Sequence, residues 1–137
     1  MRFDNRSKFW SHLFPLYAYT LVMFVVCTVP VAVPQHGGLW TDKTDHFAAF
    51  AVFEILAERA LRIRAQHTAK QSLLRRHLWA IALSALYGGV VEAWQGIVPW
   101  RSMELLDWVA DVLGALVGAV IYGGFQRSCQ AEPAAQS

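Results

Sequence analysis

Apolar residues in this chain collect into four long blocks, and the length of each block is the first clue to its structure. A helix rises 1.5 Å per residue, so roughly 20 apolar residues cross a hydrocarbon core of about 30 Å. The first block, residues 14–33, reads FPLYAYTLVMFVVCTVPVAV and holds no charged residue. The basic stretch MRFDNRSK precedes it, a pairing that a signal peptide shares. The apolar run exceeds the roughly 7 to 15 residues of a signal peptide, and Pro30 and Pro34 replace its small-residue cleavage site, so a retained helix is expected. The second block, 44–64, is interrupted by His46, Glu54 and Glu58, which must face protein or water if it spans. The third, 78–98, carries Glu92 as its one charge, and the fourth, 103–125, gathers Glu104, Asp107 and Asp111 at its start. The pattern predicts an all-α membrane protein, a bundle of four transmembrane helices. Residues 1–13 would be an N-terminal segment, 14–125 the membrane domain and 126–137 a disordered tail.

Composition sharpens this picture. In 137 residues, one domain's length, 55% are hydrophobic and only 16% charged, a balance that small soluble proteins seldom show. No internal repeat, low-complexity tract or linker interrupts the chain. Cys27 and Cys129 fall in the first block and the tail, so no disulfide between them is expected, and no CxxC or Cys/His spacing marks a thiolate metal site.

The distribution of basic residues sets an orientation. Of the 12 Lys and Arg, only Lys43 and Arg101 lie in the two loops that follow the first and third blocks. The others precede the first block (Arg2, Arg6, Lys8), lie between the second and third (Arg59, Arg62, Arg64, Lys70, Arg75, Arg76) or follow the fourth (Arg127). By the positive-inside rule both termini and the 59–76 segment face the cytoplasm of a multi-pass protein of the bacterial inner membrane. The basic segment then reads as topology and lipid headgroup contact, not nucleic-acid binding. The tryptophans agree, with Trp10 and Trp79 at inner ends and Trp40, Trp94, Trp100 and Trp108 near outer ends.

This orientation brings Asp42, Lys43, Asp45, His46, Arg101, Glu104 and Asp107 to the extracytoplasmic side. Gly88, Glu92 and Gln95 are spaced i, i+4, i+7 on one helix face, and Glu92, seven residues before Pro99, lies about 10 Å deeper. Asp107, Asp111, Gly114 and Gly118 repeat that spacing, a polar outer end above a small-residue half that meets other helices closely. The Gly114 and Gly118 pair matches GxxxG, read first as packing within the chain and second as a homodimer contact. Capping explains several loop acids: Asp42 and Asp45 suit the start of the second helix, and Ser102, Glu104 and Asp107 the start of the fourth. Capping does not explain Glu92, since an acid inside a span needs a proton, a cation or a hydrogen-bonding partner. Glu54 shares a stripe with His46 and Phe50, and Glu58 is expected at the inner interface beside Arg62. His46 fits a general base, a metal ligand or a satisfied core histidine. Arg101 suits either a bidentate hold on phosphate or carboxylate or a salt bridge to Asp107.

DKTDHF, then Glu92 and Gln95 as ExxQ, then Pro99, Arg101, Asp107 and the small-residue helix GALVGAV resemble the VanZ-like family of small membrane proteins. The resemblance covers residues 40–124 and lies in the order and spacing of these polar motifs. Where that family places an Asn four residues after the Asp, this chain has Asp111, which adds negative charge to the site. The family takes its name from a protein of glycopeptide-resistance clusters associated with teicoplanin resistance. The resemblance implies a cell-envelope role and no particular reaction.

Three functional classes follow. An envelope enzyme would use Glu92, His46 and Asp107 in acid–base chemistry, with Asp42, Lys43, Gln95, Arg101 and Asp111 binding a lipid-linked or otherwise anionic substrate. No Ser or Cys nucleophile joins the cluster, which disfavours covalent acyl transfer. An accessory protein would sequester a glycopeptide or lipid-linked precursor, or steady a partner, without chemistry. A transporter would pass protons along Glu92, Glu54 and Glu58, although four short helices without a repeat or a broken span argue against it. The sequence requires no cofactor and assigns no metal ligands, and a divalent ion on His46, Asp42, Glu92 and Asp107 stays open because their spacing is not diagnostic.

Overall fold

The computed structural model describes residues 4–30, 39–66 and 73–131. Four helices account for nearly all of them: α1 Asp4–Thr28, α2 Leu39–Gln66, α3 Leu73–Gln95 and α4 Leu105–Ala131, with no strand among the described residues. The four-helix expectation holds, with three adjustments to its boundaries. Helix α1 begins well before the apolar block. The chain from Arg59 to Arg76, expected as a loop, is helical up to Gln66 and again from Leu73. Helix α4 runs to Ala131, so Gln126, placed at the start of a tail by the sequence pattern, belongs to a helix and is buried. The expected disorder of 132–137, the outer loop before Leu39, and the side chains of Trp40, Lys70 and Cys129 lie outside the described residues.

One helical stretch, Leu105–Ser128, is long and apolar enough to cross a membrane, and Leu13–Thr28 is apolar but shorter. Four spans are therefore not established by length and composition. The reason lies in α2 and α3. Helix α2 carries His46, Glu54, Glu58, Arg59 and Arg62 along its length, and α3 opens on Arg75, Arg76 and His77.

Helix α2 is the centre of the bundle. It packs most extensively against α4, also against α3 and α1, while α1 touches α3 only lightly. Its two sides are built differently. Toward α1 and α3 lies an apolar cluster that includes Leu16, Met23, Phe50, Phe53, Ala57 and Ala80. Phe53 stacks on Tyr87 with ring centroids 5.0 Å apart, an offset aromatic contact that adds to the burial itself. Tyr19 and Tyr87 turn their hydroxyls to backbone carbonyls, Ala49 at 3.0 Å and Thr20 at 2.7 Å, so the aromatic layer buries no orphaned hydroxyl.

Toward α4 the contact is backbone on backbone. A Cβ on Gly114 would stand 2.1 Å from the Phe47 carbonyl oxygen, and one on Gly118 would stand 2.5 Å from that of Ala51. Only glycine allows this approach. The GxxxG pair thus packs α4 against α2 inside the chain, and both glycines are buried.

The outer surface is apolar. Phe14, Tyr17, Leu21 and Val22 on α1, Leu78, Leu86 and Val90 on α3, and Leu106, Leu113, Val120 and Ile121 on α4 are all exposed. The interior meanwhile holds Glu54, Glu58, Ser84, Glu92, Gln95, Asp107 and Asp111.

Candidate functional site

Three i+4 rows put these polar groups inside. On α2, His46, Phe50, Glu54 and Glu58 follow one another at four-residue steps, and all four are buried. On α3 the row is Arg76, Ala80, Ser84, Gly88 and Glu92, and on α4 it passes through Asp107, Asp111, Ala115 and Ala119. Where the rows converge, they form one polar cluster at each end of the bundle.

At the end formed by the start of α2 and the α3 to α4 turn, His46 Nδ1 stands 2.9 Å from Asp111 Oδ1 and 4.0 Å from Glu92 Oε1. With Asp111 as carboxylate, Nδ1–H donates to it, which fixes the ring and leaves Nε2 as the basic nitrogen. Glu92 Oε2 accepts the backbone N–H of Glu104 at 2.9 Å. That bond ties the buried acid to the turn and occupies one of its oxygens. Glu92 Oε1 and Asp111 Oδ2 are buried with no hydrogen-bond partner among the described residues. Gly88 lies against the second of these oxygens, since a Cβ there would fall 2.6 Å from Asp111 Oδ2.

Other expected members take different places. Lys43 Nζ bonds Asp107 Oδ1 at 2.8 Å and Glu104 Oε2 at 3.0 Å. The hydrogen bonds to Asp107 and then Glu104 hold its ammonium above the ordinary lysine range. Lys43 is thus committed to two carboxylates and is not a free anion clamp. The Arg101 to Asp107 salt bridge does not form because Lys43 already holds Asp107, and Arg101, half-buried, has no ion pair among the described residues. Gln95 is buried, with its amide nitrogen 3.5 Å from the Cys27 carbonyl of α1. Asp42 is exposed in the first turn of α2, with a carboxylate oxygen within 4.8 Å of ligand atoms of His46 and Asp107. Helix α4 starts at Leu105 with the Glu104 carbonyl accepting its first bond, so Ser102 does not cap it.

The opposite end was not foreseen. Glu58, expected at the interface beside Arg62, is fully buried, accepting from Arg76 Nε at 2.8 Å and pairing with His77 Nδ1. Arg76 also donates to Gln126 Oε1 at 2.8 Å. The signal was present in the i+4 row that links Arg76 to Glu92 through Ala80, Ser84 and Gly88. Between the two ends, Ser84 donates to Glu54 Oε2 at 2.6 Å, and Glu54 Oε1 is left without a partner.

An apolar groove of about 440 Å³ runs between α3 and α4, lined by Ala85, Leu86, Gly89, Val90, Ala93 and Trp108. It is shallow and open, and Trp108 is held at its α4 edge by donating to the Ala85 carbonyl at 2.9 Å. The groove adjoins Gly88 and Asp107 in sequence, so an apolar surface and the polar end share two helices.

Neither a protein-family profile, nor a curated protein, nor a solved structure matches this chain. A histidine oriented by one buried carboxylate, beside a second carboxylate with an unpartnered oxygen, is equipped for proton transfer or for holding a cation.

Proposed function

We propose that the chain is a multi-pass protein of the bacterial inner membrane whose polar end, built on His46, Glu92 and Asp111, works on an envelope substrate at the extracytoplasmic face. The observation that carries this reading is the inversion of polarity: exposed leucine, valine and isoleucine surround buried carboxylates. Water would penalise that surface, whereas a bilayer accepts it and forces ionisable groups into the bundle. In this reading α2 and α3 span with their charges turned inward, which lets them cross despite their composition. Sidedness follows from the basic residues gathered at the other end.

The substrate we favour is lipid-linked with an anionic head group. The apolar groove suits an acyl or isoprenoid chain, and Arg101 is the basic side chain at this end that no carboxylate neutralises among the described residues. Its guanidinium would hold a phosphate bidentately. His46, oriented by Asp111, and Glu92 would move the proton. The resemblance to the VanZ-like family adds support for an envelope role, including a link to glycopeptide resistance. A non-enzymatic binder is the second reading, favoured by His46 being hydrogen-bonded to the Asp111 carboxylate and not to a hydroxyl or thiol.

Native mass spectrometry on protein extracted gently from membranes tests both readings, comparing wild type with Glu92→Gln and Arg101→Ala. A lipid-linked phosphate retained by wild type and lost from Arg101→Ala supports the substrate assignment. Retention without turnover in wild type favours the binder, and an empty site in all three proteins removes the lipid-linked substrate.

A further inference from the structure

The polar end holds more negative charge than its cations neutralise. Lys43 is taken up by Asp107 and Glu104, which leaves the Glu92 and Asp111 carboxylates against one imidazole. Two unpartnered oxygens, Glu92 Oε1 and Asp111 Oδ2, are buried there on side chains that are 2% and 0% exposed. Burying an unpaired carboxylate costs several kcal/mol, so a cluster that keeps two of them in place is built to receive something positive.

We propose that His46, Glu92 and Asp111 form a binding site for a divalent transition-metal cation of the Zn²⁺ or Mn²⁺ type. The assignment rests on reading this end of the bundle as the working site. One ligand atom from each residue lies within 4.8 Å of the other two. Ligands at about 2.0 to 2.2 Å from a metal stand roughly 3 to 4 Å apart. The 2.9 Å and 4.0 Å separations from His46 Nδ1 bracket that range, so the set is completed by small side-chain rotations once the cation displaces the proton that Nδ1 gives to Asp111 and the ring keeps its hydrogen on Nε2. Two carboxylates and a neutral imidazole carry a charge of about −2, which a divalent cation cancels inside the low-dielectric bundle. Imidazole favours a first-row transition metal over Ca²⁺ or Mg²⁺, and the carboxylates keep Mn²⁺ within reach.

The alternative trio of Asp42, His46 and Asp107 is the weaker one. Asp107 already accepts from the Lys43 ammonium, which would repel a metal, and Asp42 is exposed. Gly88 contributes by absence, since a methyl group there would push into Asp111 Oδ2 at 2.6 Å.

The test uses the full chain in a mild non-chelating detergent, stripped of metal and titrated with Zn²⁺ and with Mn²⁺ by calorimetry, with bound metal counted by mass spectrometry. We expect saturable binding by wild type and a rise in melting temperature with added metal. Glu92→Gln and Asp111→Asn should each weaken binding by about 100-fold or more while keeping helical circular dichroism, given that even second-shell changes cost 10- to 100-fold. Wild type that binds neither ion overturns the proposal whether or not the variants fold. Binding lost in Asp42→Asn but retained in Glu92→Gln also overturns it, by moving the ion to the other trio. Lipid retention is read separately. Absent metal with a lipid lost from Arg101→Ala rejects the cation site alone, and bound metal with no lipid rejects the substrate reading alone.

Discussion

The two ends of this bundle are built from the same parts and balanced differently. Each sets a histidine against a buried acid, His46 against Asp111 and His77 against Glu58. At the His77 end Arg76 enters the cluster, so Glu58 has an opposite charge at 2.8 Å and partners on both oxygens. At the His46 end the nearby ammonium serves Asp107 and Glu104, and two carboxylate oxygens stay unpartnered. Buried charge that is fully paired holds helices in place, whereas buried charge left open is a site awaiting a ligand. If the closed end is structural and the open end is the proposed cation site, the two should respond differently to mutation.

The largest effect should come from the closed end. Arg76→Ala leaves Glu58 buried without its cation, a change that costs about 3 to 5 kcal/mol in comparable settings. Thermal unfolding in detergent should show a drop of that order, and adding Glu58→Gln should recover much of it by removing the uncompensated charge. If Arg76→Ala unfolds like wild type, the His77 cluster is not the structural half of the pair.

Next comes the seam that holds both ends in register. Gly114→Ala places a methyl carbon 2.1 Å from the Phe47 carbonyl oxygen, so α4 must move away from α2. Overpacking of this kind costs about 1 to 3 kcal/mol, and the displacement also shifts Asp111, one turn away, from His46. Loss of stability together with weaker metal binding is expected, and melting curves with and without Zn²⁺ would measure both. Gly124→Ala, where an added Cβ meets nothing within 4 Å, is the matched control.

The open end should answer far more weakly in stability. In metal-free protein Glu92→Gln removes a buried charge and keeps an oxygen for the Glu104 N–H, so stability should change by no more than about 1 kcal/mol. Metal affinity should fall all the same. A stability loss as large as that of Arg76→Ala would make Glu92 a structural residue and erase the contrast between the ends.

Much of this arrangement was legible in the chain. The i, i+4, i+7 spacing of Gly88, Glu92 and Gln95 and of Asp107, Asp111, Gly114 and Gly118 fixes which faces turn inward, and all seven residues are buried. Spacing within a helix does not say which faces meet. His46 pairs with Asp111 because α2 approaches α4 along Gly114 and Gly118 of α4, a fact of packing that no single stripe contains. Arg76 was hidden for a different reason. Basic residues counted for orientation are treated as loop charges, yet Arg76 begins the row that carries Ser84 and Glu92, and burial follows the row. Lys43 resembles a clamp for anions in the sequence because its acidic partners come from more than 60 residues away, at separations of 61 and 64.

Lys43 gives the smallest and most local test. Its hydrogen bonds to Asp107 and Glu104 raise its pKa in the folded chain above the 10.5 of a free lysine. A cation stabilised by folding contributes fully below the unfolded value and loses that contribution as pH rises through the folded one. The melting temperature of wild type should therefore gain a downward step above about pH 10.4 that Lys43→Met lacks. Because the ammonium is at the rim, salt should shrink the difference between the two proteins at neutral pH. The same substitution frees Asp107 from its ammonium, so it also asks whether the alternative trio with Asp42 is held closed by Lys43. Zn²⁺ affinity that rises in Lys43→Met while still depending on Glu92 would show that the lysine limits the charge of the open end without belonging to its ligand set.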